Sequence, residues 1–132
     1  MAGHKLFFAL RPDVATAERI ARVVAAEHES RGLAPRLRPS HIFHITLHYF
    51  GRFDGEPDPR LVALAMQAGS ALEWPAFDLG FERFASWGRP GARQHPFVLT
   101  GGPSLDGVRG LRDALADRLQ ALGLPVDRDY EP

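Results

Sequence analysis

A sharp change of pattern at residues 11–13 separates a continuous apolar run from a helical repeat of apolar side chains. The run "KLFFAL", at 5–10, has the length and aromatic content of a buried strand. Asp13 can cap the helix that follows, because its carboxylate accepts hydrogen bonds from backbone N–H groups of the first turn. Apolar residues then recur at helical spacing as far as about Ser30, namely Val14, Ala17, Ile20, Ala21 and Val24. The chain is therefore predicted to begin with a strand and a helix.

The middle of the chain has the same order of elements after a loop at 31–40 that glycine and proline interrupt. The run "HIFHITLHYF", at 41–50, is rich in β-branched and aromatic residues, which predicts a strand that ends at Gly51. Asp58 and Pro59 can then occupy the cap and the first position of a second helix. The apolar stripe of this helix is Leu61, Leu64, Ala65, Ala68 and Leu72.

The last part of the chain adds two strands and a helix. Residues 76–84 alternate between apolar and polar side chains, which predicts a half-buried strand. One face of this strand carries Phe77, Leu79 and Phe81. The run "HPFVLTGG", at 95–102, predicts another strand, and a leucine repeat at 105–122 predicts a helix that stops at Gly123. The sequence as a whole predicts an α+β fold.

The two halves of the chain show a weak internal repeat in the order of their elements. "FFAL" leads through a helix to the histidine-rich strand, and "FVLT" leads through a helix to the end of the sequence. When the spacing from Leu10 to His44 is applied to Thr100, it reaches a position just past Pro132. The counterpart of the histidine-rich strand is therefore expected directly after Pro132.

The composition limits the classes of protein to which the chain can belong. Its 132 residues are enough for one domain with a hydrophobic core, which we expect to cover 1–132. Lys plus Arg and Asp plus Glu number 16 each, so any polyanion must be recognised locally. The absence of cysteine excludes disulfides, thiolate catalysis and cysteine-ligated zinc. The first apolar run is too short for a signal peptide or a membrane span, and we expect a cytoplasmic protein.

Three of the six histidines lie in the segment "HIFHITLHYFG" at 41–51. Strict alternation along a strand predicts that His44, Thr46 and His48 share one face. The predicted core-facing side carries Ile45, Leu47 and Tyr49. An imidazole can transfer protons near neutral pH, and a threonine hydroxyl can donate a hydrogen bond to an anionic oxygen beside it. Attack on a phosphodiester needs a base and an acid on opposite sides of the phosphorus, so one such histidine supplies half of a site.

The segments "KLFFALRP", "HITLHYFG" and "LGLPVDRDYEP" resemble the 2H phosphoesterase superfamily, in its branch of 2′-5′ RNA ligase-like RNA 2′,3′-cyclic phosphodiesterases. The resemblance implies two pseudo-symmetric lobes of antiparallel sheet, backed by helices, around a central cleft. It makes His44 and Thr46 the first of two His-x-Thr/Ser motifs. An aromatic residue and a proline commonly precede the second motif, as Tyr130 and Pro132 would here. The domain at 1–132 is then expected to lack its C-terminal part, including the second lobe's motif strand.

The activity implied by the resemblance is metal-independent hydrolysis of an RNA 2′,3′-cyclic phosphate to a 2′-phosphate, with no cofactor. One histidine would activate water and the other would protonate the departing 3′ oxygen, while the two hydroxyl residues hold the phosphate. The same acid and base could catalyse reversible 2′-5′ ligation of RNA ends. The implied partner is RNA with cyclic phosphate or 2′-5′ linked ends, without a membrane or an obligate protein partner. The 132-residue chain alone is expected to be inactive or nearly so.

Further candidates for substrate binding are His48 and the arginines of a glycine-containing loop. Arg89 and Arg93 lie in this loop beside Trp87, where they could bind RNA phosphates and stack a base. Arg36 and Arg38, just before the histidine-rich strand, have the same two interpretations, solvated surface or phosphate contact.

Two other classes of function remain open from the sequence. A non-catalytic module that binds RNA ends or nucleotides could retain the cleft without the chemistry. A histidine-metal hydrolase or oxygenase could use His44 and His48 as ligands, with His41 or His95 as a third. The strand contains no carboxylate to complete such a site, and the threonine between the two histidines has no role as a ligand in it.

Overall fold

The computed structural model describes residues 3–32, 38–86 and 97–126. Within these ranges the helices are α1 (Val14–Ser30), α2 (Pro59–Ala71) and α3 (Asp106–Ala121). The strands are β1 (Gly3–Leu10), β2 (Ile45–Asp54), β3 (Arg83–Ser86) and β4 (Phe97–Thr100), and 3₁₀-helices cover Ser40–Ile42 and Pro103–Leu105. β1 pairs with β2 and β3 pairs with β4, both antiparallel, in two separate two-stranded sheets. The predicted α+β class is confirmed.

The predicted helix caps are confirmed at α1 and α2. The Thr16 backbone N–H donates to Asp13 Oδ1 over 2.7 Å, and the Arg60 backbone N–H donates to Asp58 Oδ1 over 3.0 Å. The hydrogen bonds from the backbone and side chain of Thr16 hold the pKa of the Asp13 carboxyl below its ordinary value.

No helix in the described ranges is long and apolar enough to cross a lipid bilayer.

The hydrophobic core lies between one face of the β1–β2 ribbon and the helices α2 and α3. Its buried members are Leu47, Ala68, Leu105, Val108, Leu111, Leu115 and Leu119. The ring of Phe8 approaches Gly69 so closely that an added Cβ would lie 2.9 Å from it. A glycine at that position therefore lets α2 approach the sheet. We call the core-facing side of the ribbon its inner face and the opposite side its outer face.

The segment at 76–82 is not a strand, although the Glu82 backbone N–H donates to the Thr100 carbonyl at the end of β4 over 2.8 Å, so the predicted strand at 76–84 is confirmed only in β3. Phe77 and Phe81 pack against the core, as the alternation predicted, whereas Leu79 is exposed. Gly80 instead exchanges hydrogen bonds with Ser104, whose hydroxyl donates to the Gly80 carbonyl over 2.8 Å. The apolar alternation thus reflects the burial of Phe77 and Phe81, while the backbone of Gly80 is hydrogen bonded to the loop before α3.

Candidate active site

β2 is longer than predicted and is irregular in the middle. It continues past Gly51 to Asp54, while the predicted first residues of the strand form a 3₁₀-helix at Ser40–Ile42. The register pairs at its centre are Leu6–Gly51, Phe7–Tyr49, Phe8–His48 and Ala9–Thr46. Two residues of β2, Leu47 and Phe50, are therefore extra relative to β1, as in β-bulges.

The first bulge reverses the predicted orientation of the residues that follow it. The prediction that His48 shares a face with His44 and Thr46 is wrong, because the extra residue Leu47 moves His48 and Tyr49 to the faces opposite those predicted, until the second extra residue, Phe50, restores the alternation. His48 is only 6% exposed, and its ring meets Phe50 edge-on at a centroid distance of 4.5 Å. It belongs to the inner face and is not available to a substrate on the outer one.

Tyr49 lies on the outer face of the ribbon, the opposite of its predicted side. It was predicted to face the core, but it is 47% exposed and pairs across the ribbon with Phe7 on the outer face. The ring of Phe7 lies 6.5 Å from the Tyr49 ring and 5.2 Å from the His44 ring, measured between centroids. Sequence reasoning missed both aromatic residues, since it assigned "KLFFAL" to a buried strand and, by strict alternation, placed Tyr49 on the core-facing side of the next strand. The position of Phe7 two residues from Lys5 was the available signal for an outward-facing ring.

His44 is exposed and lies between the 3₁₀-helix and the first residue of β2. Its Nδ1 is 2.8 Å from the backbone carbonyl oxygen of Ile42. A carbonyl oxygen can only accept a hydrogen bond, so Nδ1 carries the proton and donates it. In the neutral ring Nε2 then carries the lone pair. This contact therefore orients the ring and assigns Nε2 as the atom that can accept or release a proton toward a substrate.

Thr46 is half-buried and points to the same outer face as His44. Its partner across the ribbon is Ala9, whose side chain is a single methyl group. The pair His44 and Thr46 therefore keeps the common orientation that the sequence predicted, because both residues precede the first bulge.

Arg11 supports the segment that carries His44. Leu10 pairs with Ile45, so Arg11 follows β1 at the end of the ribbon where His44 lies. The Arg11 Nη2 donates to the backbone carbonyl of His41 over 2.7 Å and so ties the 3₁₀-helix to β1. A shallow depression of about 130 Å³ adjoins this contact, lined by Arg11, Pro12, Val14, Ala17, Ser40, His41 and Phe43. Sequence reasoning did not single out Arg11 as part of the site.

Several predicted residues lie outside the described ranges. Arg89 and Arg93, with their neighbour Trp87, are among them, as are Arg36 and His95. The segment with Tyr130 and Pro132, expected to precede a second motif, also lies outside them. Arg38 is described and is exposed just before the 3₁₀-helix.

One further His-x-Ser sequence occurs in the chain, at His28 and Ser30, but it lies in the last turn of α1. The Ser30 hydroxyl donates to the Glu27 carbonyl of the same helix over 3.0 Å. A helix does not place residues i and i+2 on one face, so this segment cannot reproduce the arrangement of His44 and Thr46.

The geometry argues against the pair of metal ligands considered from the sequence. His44 and His48 point to opposite faces of the ribbon, so they cannot bind one ion together. Among the residues that the structure describes, no three His, Cys, Asp or Glu side chains come close enough to hold a metal.

The chain matches no family model, and no curated protein and no solved structure is significantly similar to it.

Proposed function

We propose that this chain carries one half of the active site of a metal-independent RNA 2′,3′-cyclic phosphodiesterase of the 2H type. The observation that best supports this function is the arrangement of His44 and Thr46 on the outer face of the ribbon. The imidazole has its Nδ1 hydrogen bonded to a backbone carbonyl over 2.8 Å, and the hydroxyl lies two residues along on the same face. A proton-transfer group beside a neutral donor suits an anionic phosphate.

The proposed reaction opens the cyclic phosphate by attack of water on phosphorus. A bond forms between the water oxygen and phosphorus, the bond from phosphorus to the 3′ oxygen breaks, and the phosphate stays on the 2′ oxygen. The base takes a proton from water and the acid gives one to the 3′ oxygen, so the two steps balance. His44 Nε2 takes one of these roles, and the Thr46 hydroxyl donates to a non-bridging phosphate oxygen.

The second proton-transfer group must act from the opposite side of the phosphorus. We assign it to a His-x-Thr or His-x-Ser segment directly after Pro132, on the second of two pseudo-symmetric lobes that face each other across a cleft. β4 and α3 follow each other as β1 and α1 do, which supports the internal repeat on which this assignment depends. The 132-residue chain alone is then expected to show little or no turnover.

RNA is the substrate and partner in this proposal, no metal or organic cofactor takes part, and we place the protein in the cytoplasm. Reversible 2′-5′ ligation of RNA ends would use the same acid and base in the reverse direction. Hydrolysis is the simpler reaction to assay, because it needs only one RNA and water.

The test measures hydrolysis of an oligonucleotide that ends in a 2′,3′-cyclic phosphate, using the polypeptide extended past Pro132. We expect a 2′-phosphate product, formed at the same rate in the presence of EDTA. His44→Ala should lower kcat by about 10²–10⁴-fold, the usual contribution of a positioned acid or base. Thr46→Val, which keeps the shape and removes the hydroxyl, should lower kcat by about tenfold or more.

His4→Ala is the matched control for His44→Ala. His4 is also an exposed histidine of the ribbon, but it lies at the opposite end, 3.9 Å from Glu56. Its removal should leave kcat unchanged. If hydrolysis survives in His44→Ala, the assignment of His44 is wrong, and RNA binding without any turnover would favour the non-catalytic binding module instead.

A further inference from the structure

The outer face of the ribbon continues beyond His44 and Thr46 as a row of aromatic and then basic side chains. Phe7 and Tyr49 come next along the strands, and Lys5 and Arg52 follow as the next outward-facing register pair. The guanidinium group of Arg52 lies over Gly3, on the side of β1 that Lys5 and Phe7 also occupy, which confirms its orientation. We call the four residues Lys5, Phe7, Tyr49 and Arg52 the aromatic-basic row.

The aromatic members of the row are exposed in spite of their size. Phe7 is 38% exposed and Tyr49 is 47% exposed, although the inner face of the same ribbon buries its apolar side chains. The two rings form a cross-strand pair with a centroid distance of 6.5 Å, and Phe7 also touches the His44 ring. Exposed neighbouring rings on a sheet are the surface on which proteins stack unpaired nucleobases.

The basic members supply the charge that the chain as a whole lacks. The formal net charge is zero, so attraction to a polyanion must come from local clusters of cations. Lys5 and Arg52 are both exposed and oppose each other directly across the ribbon. Asp54 follows only at the far end of the row, opposite Gly3. Positive charge is thus adjacent to the rings on the side away from His44.

We propose that the aromatic-basic row binds the single-stranded RNA that leads to the reacting end. Nucleobases stack on Phe7 and Tyr49, and Lys5 and Arg52 contact the phosphates further along the strand. This assignment rests on the proposed function for its direction, since it places the 3′ end of the RNA at His44. The row from Thr46 to Arg52 spans at most about 20 Å, which suits a short stretch of extended RNA.

Single-stranded RNA fits this face better than a duplex does. In a duplex the bases are stacked on one another and their faces are not available to protein rings, whereas unpaired bases can be splayed onto them. Stacking also tolerates any base, so the row predicts little sequence preference. The ligand class is therefore an unpaired RNA 3′ end several nucleotides long, in preference to a structured RNA.

The test uses the polypeptide extended past Pro132 and measures the binding of a 5′-labelled single-stranded RNA hexanucleotide with a 2′,3′-cyclic phosphate, by fluorescence anisotropy, together with its hydrolysis. The double variant Phe7→Leu and Tyr49→Leu should weaken binding by about tenfold to a hundredfold and raise KM by a similar factor. The variant Tyr49→Phe, which keeps the ring, should bind as the parent does. Lys5→Gln with Arg52→Gln should flatten the salt dependence of the affinity by about one logarithmic unit per cation removed.

Met66→Ala is the control for loss of an exposed apolar side chain, because Met66 lies on α2 and is 65% exposed. It should leave RNA binding unchanged, and thermal unfolding should show that every variant is folded. Unaltered affinity in the double leucine variant would overturn the row as an RNA site, as would equal affinity for a duplex of the same sequence. His44→Ala tests the proposed function separately, since it should lower kcat and leave affinity unchanged. If no hydrolysis is detected, the anisotropy measurements still test whether the aromatic-basic row binds RNA.

Discussion

The inner and outer faces of the β1–β2 ribbon carry similar residues in opposite environments. Each face has one histidine from the segment 44–48 and at least two aromatic rings from the two strands, yet His48 is buried against Phe50 whereas His44 is exposed beside Phe7. The difference arises from the extra residue Leu47, which lies between the two histidines and reverses the alternation. One strand can therefore build both the core and a chemical site, and substitutions on the two faces should separate stability from function.

The largest expected effect on stability comes from the bulge residue itself. Leu47 is 6% exposed and belongs to the core that α2 and α3 complete. Leu47→Ala should lower the free energy of unfolding by about 2–5 kcal/mol, because it removes apolar contacts and leaves a cavity. Urea denaturation measures this loss. Tyr49→Ala on the outer face is the comparison, and an equal loss there would contradict the distinction between the two faces.

The two histidines provide a sharper comparison, because the same substitution is made four residues apart. His48→Ala should destabilise the fold by about 1–3 kcal/mol, since it removes a buried ring and its edge-on contact with Phe50. His44→Ala should change stability by less than about 0.5 kcal/mol, the usual range for an exposed position. Unfolding by urea, followed by circular dichroism, measures both values. Similar losses in the two variants would mean that His44 is also part of the folded core.

The helices could be predicted from the sequence because their signals are local. Asp13 and Asp58 cap the first turns of α1 and α2, and Gly123, with a φ of +81°, follows α3 as predicted. The bulges at Leu47 and Phe50 could not be predicted, since both are apolar residues that suit either face of a strand. Where a bulge occurs depends on the pairing with β1, which is a tertiary property.

The site shows the same division between local and tertiary information. His44 and Thr46 could be paired from their spacing, because no bulge lies between them. Phe7, Tyr49 and Arg11 could not be added, since their roles depend on which residues of β1 meet which residues of β2. The row of exposed rings became visible only once the register was known.

Arg11 offers a smaller effect that concerns the outer face alone. Arg11→Gln removes the charged donor to the His41 carbonyl and should loosen the 3₁₀-helix that precedes His44. We expect a loss of kcat of about fivefold with KM unchanged, equivalent to one hydrogen bond of about 1 kcal/mol. Arg38→Gln, another exposed arginine near this helix, should have no such effect.

A second measurement on Arg11→Gln does not depend on turnover. The NMR signals of the His44 ring should shift and broaden, because the hydrogen bond from its Nδ1 to Ile42 depends on the same short helix. If neither kcat nor the His44 signals change, Arg11 does not position the site.

The smallest expected effect is on thermal stability and concerns what holds α1 in place. α3 has no side-chain cap but buries five residues, whereas α1 has Asp13 as its cap and buries Ala17 and Val24. α1 also lies against the 3₁₀-helix that leads to His44. Because α1 is so lightly anchored in the core, its N-terminal end should depend on the cap more than the corresponding end of α3 does.

The pH dependence of stability tests this role of the cap. Hydrogen bonds from Thr16 lower the pKa of Asp13, so its stabilisation is complete above the pKa of the unfolded chain and is lost as the pH falls through the folded pKa. Asp13→Ala should lower Tm by a few degrees at neutral pH, and the gap from the parent should narrow below about pH 4. Asp13→Asn keeps a capping oxygen that does not titrate. The difference in Tm between this variant and the alanine variant should therefore stay constant with pH. If the difference in Tm between the parent and the alanine variant also stayed constant with pH, α1 would be held by its packing against the 3₁₀-helix, and not by the charge at its first turn.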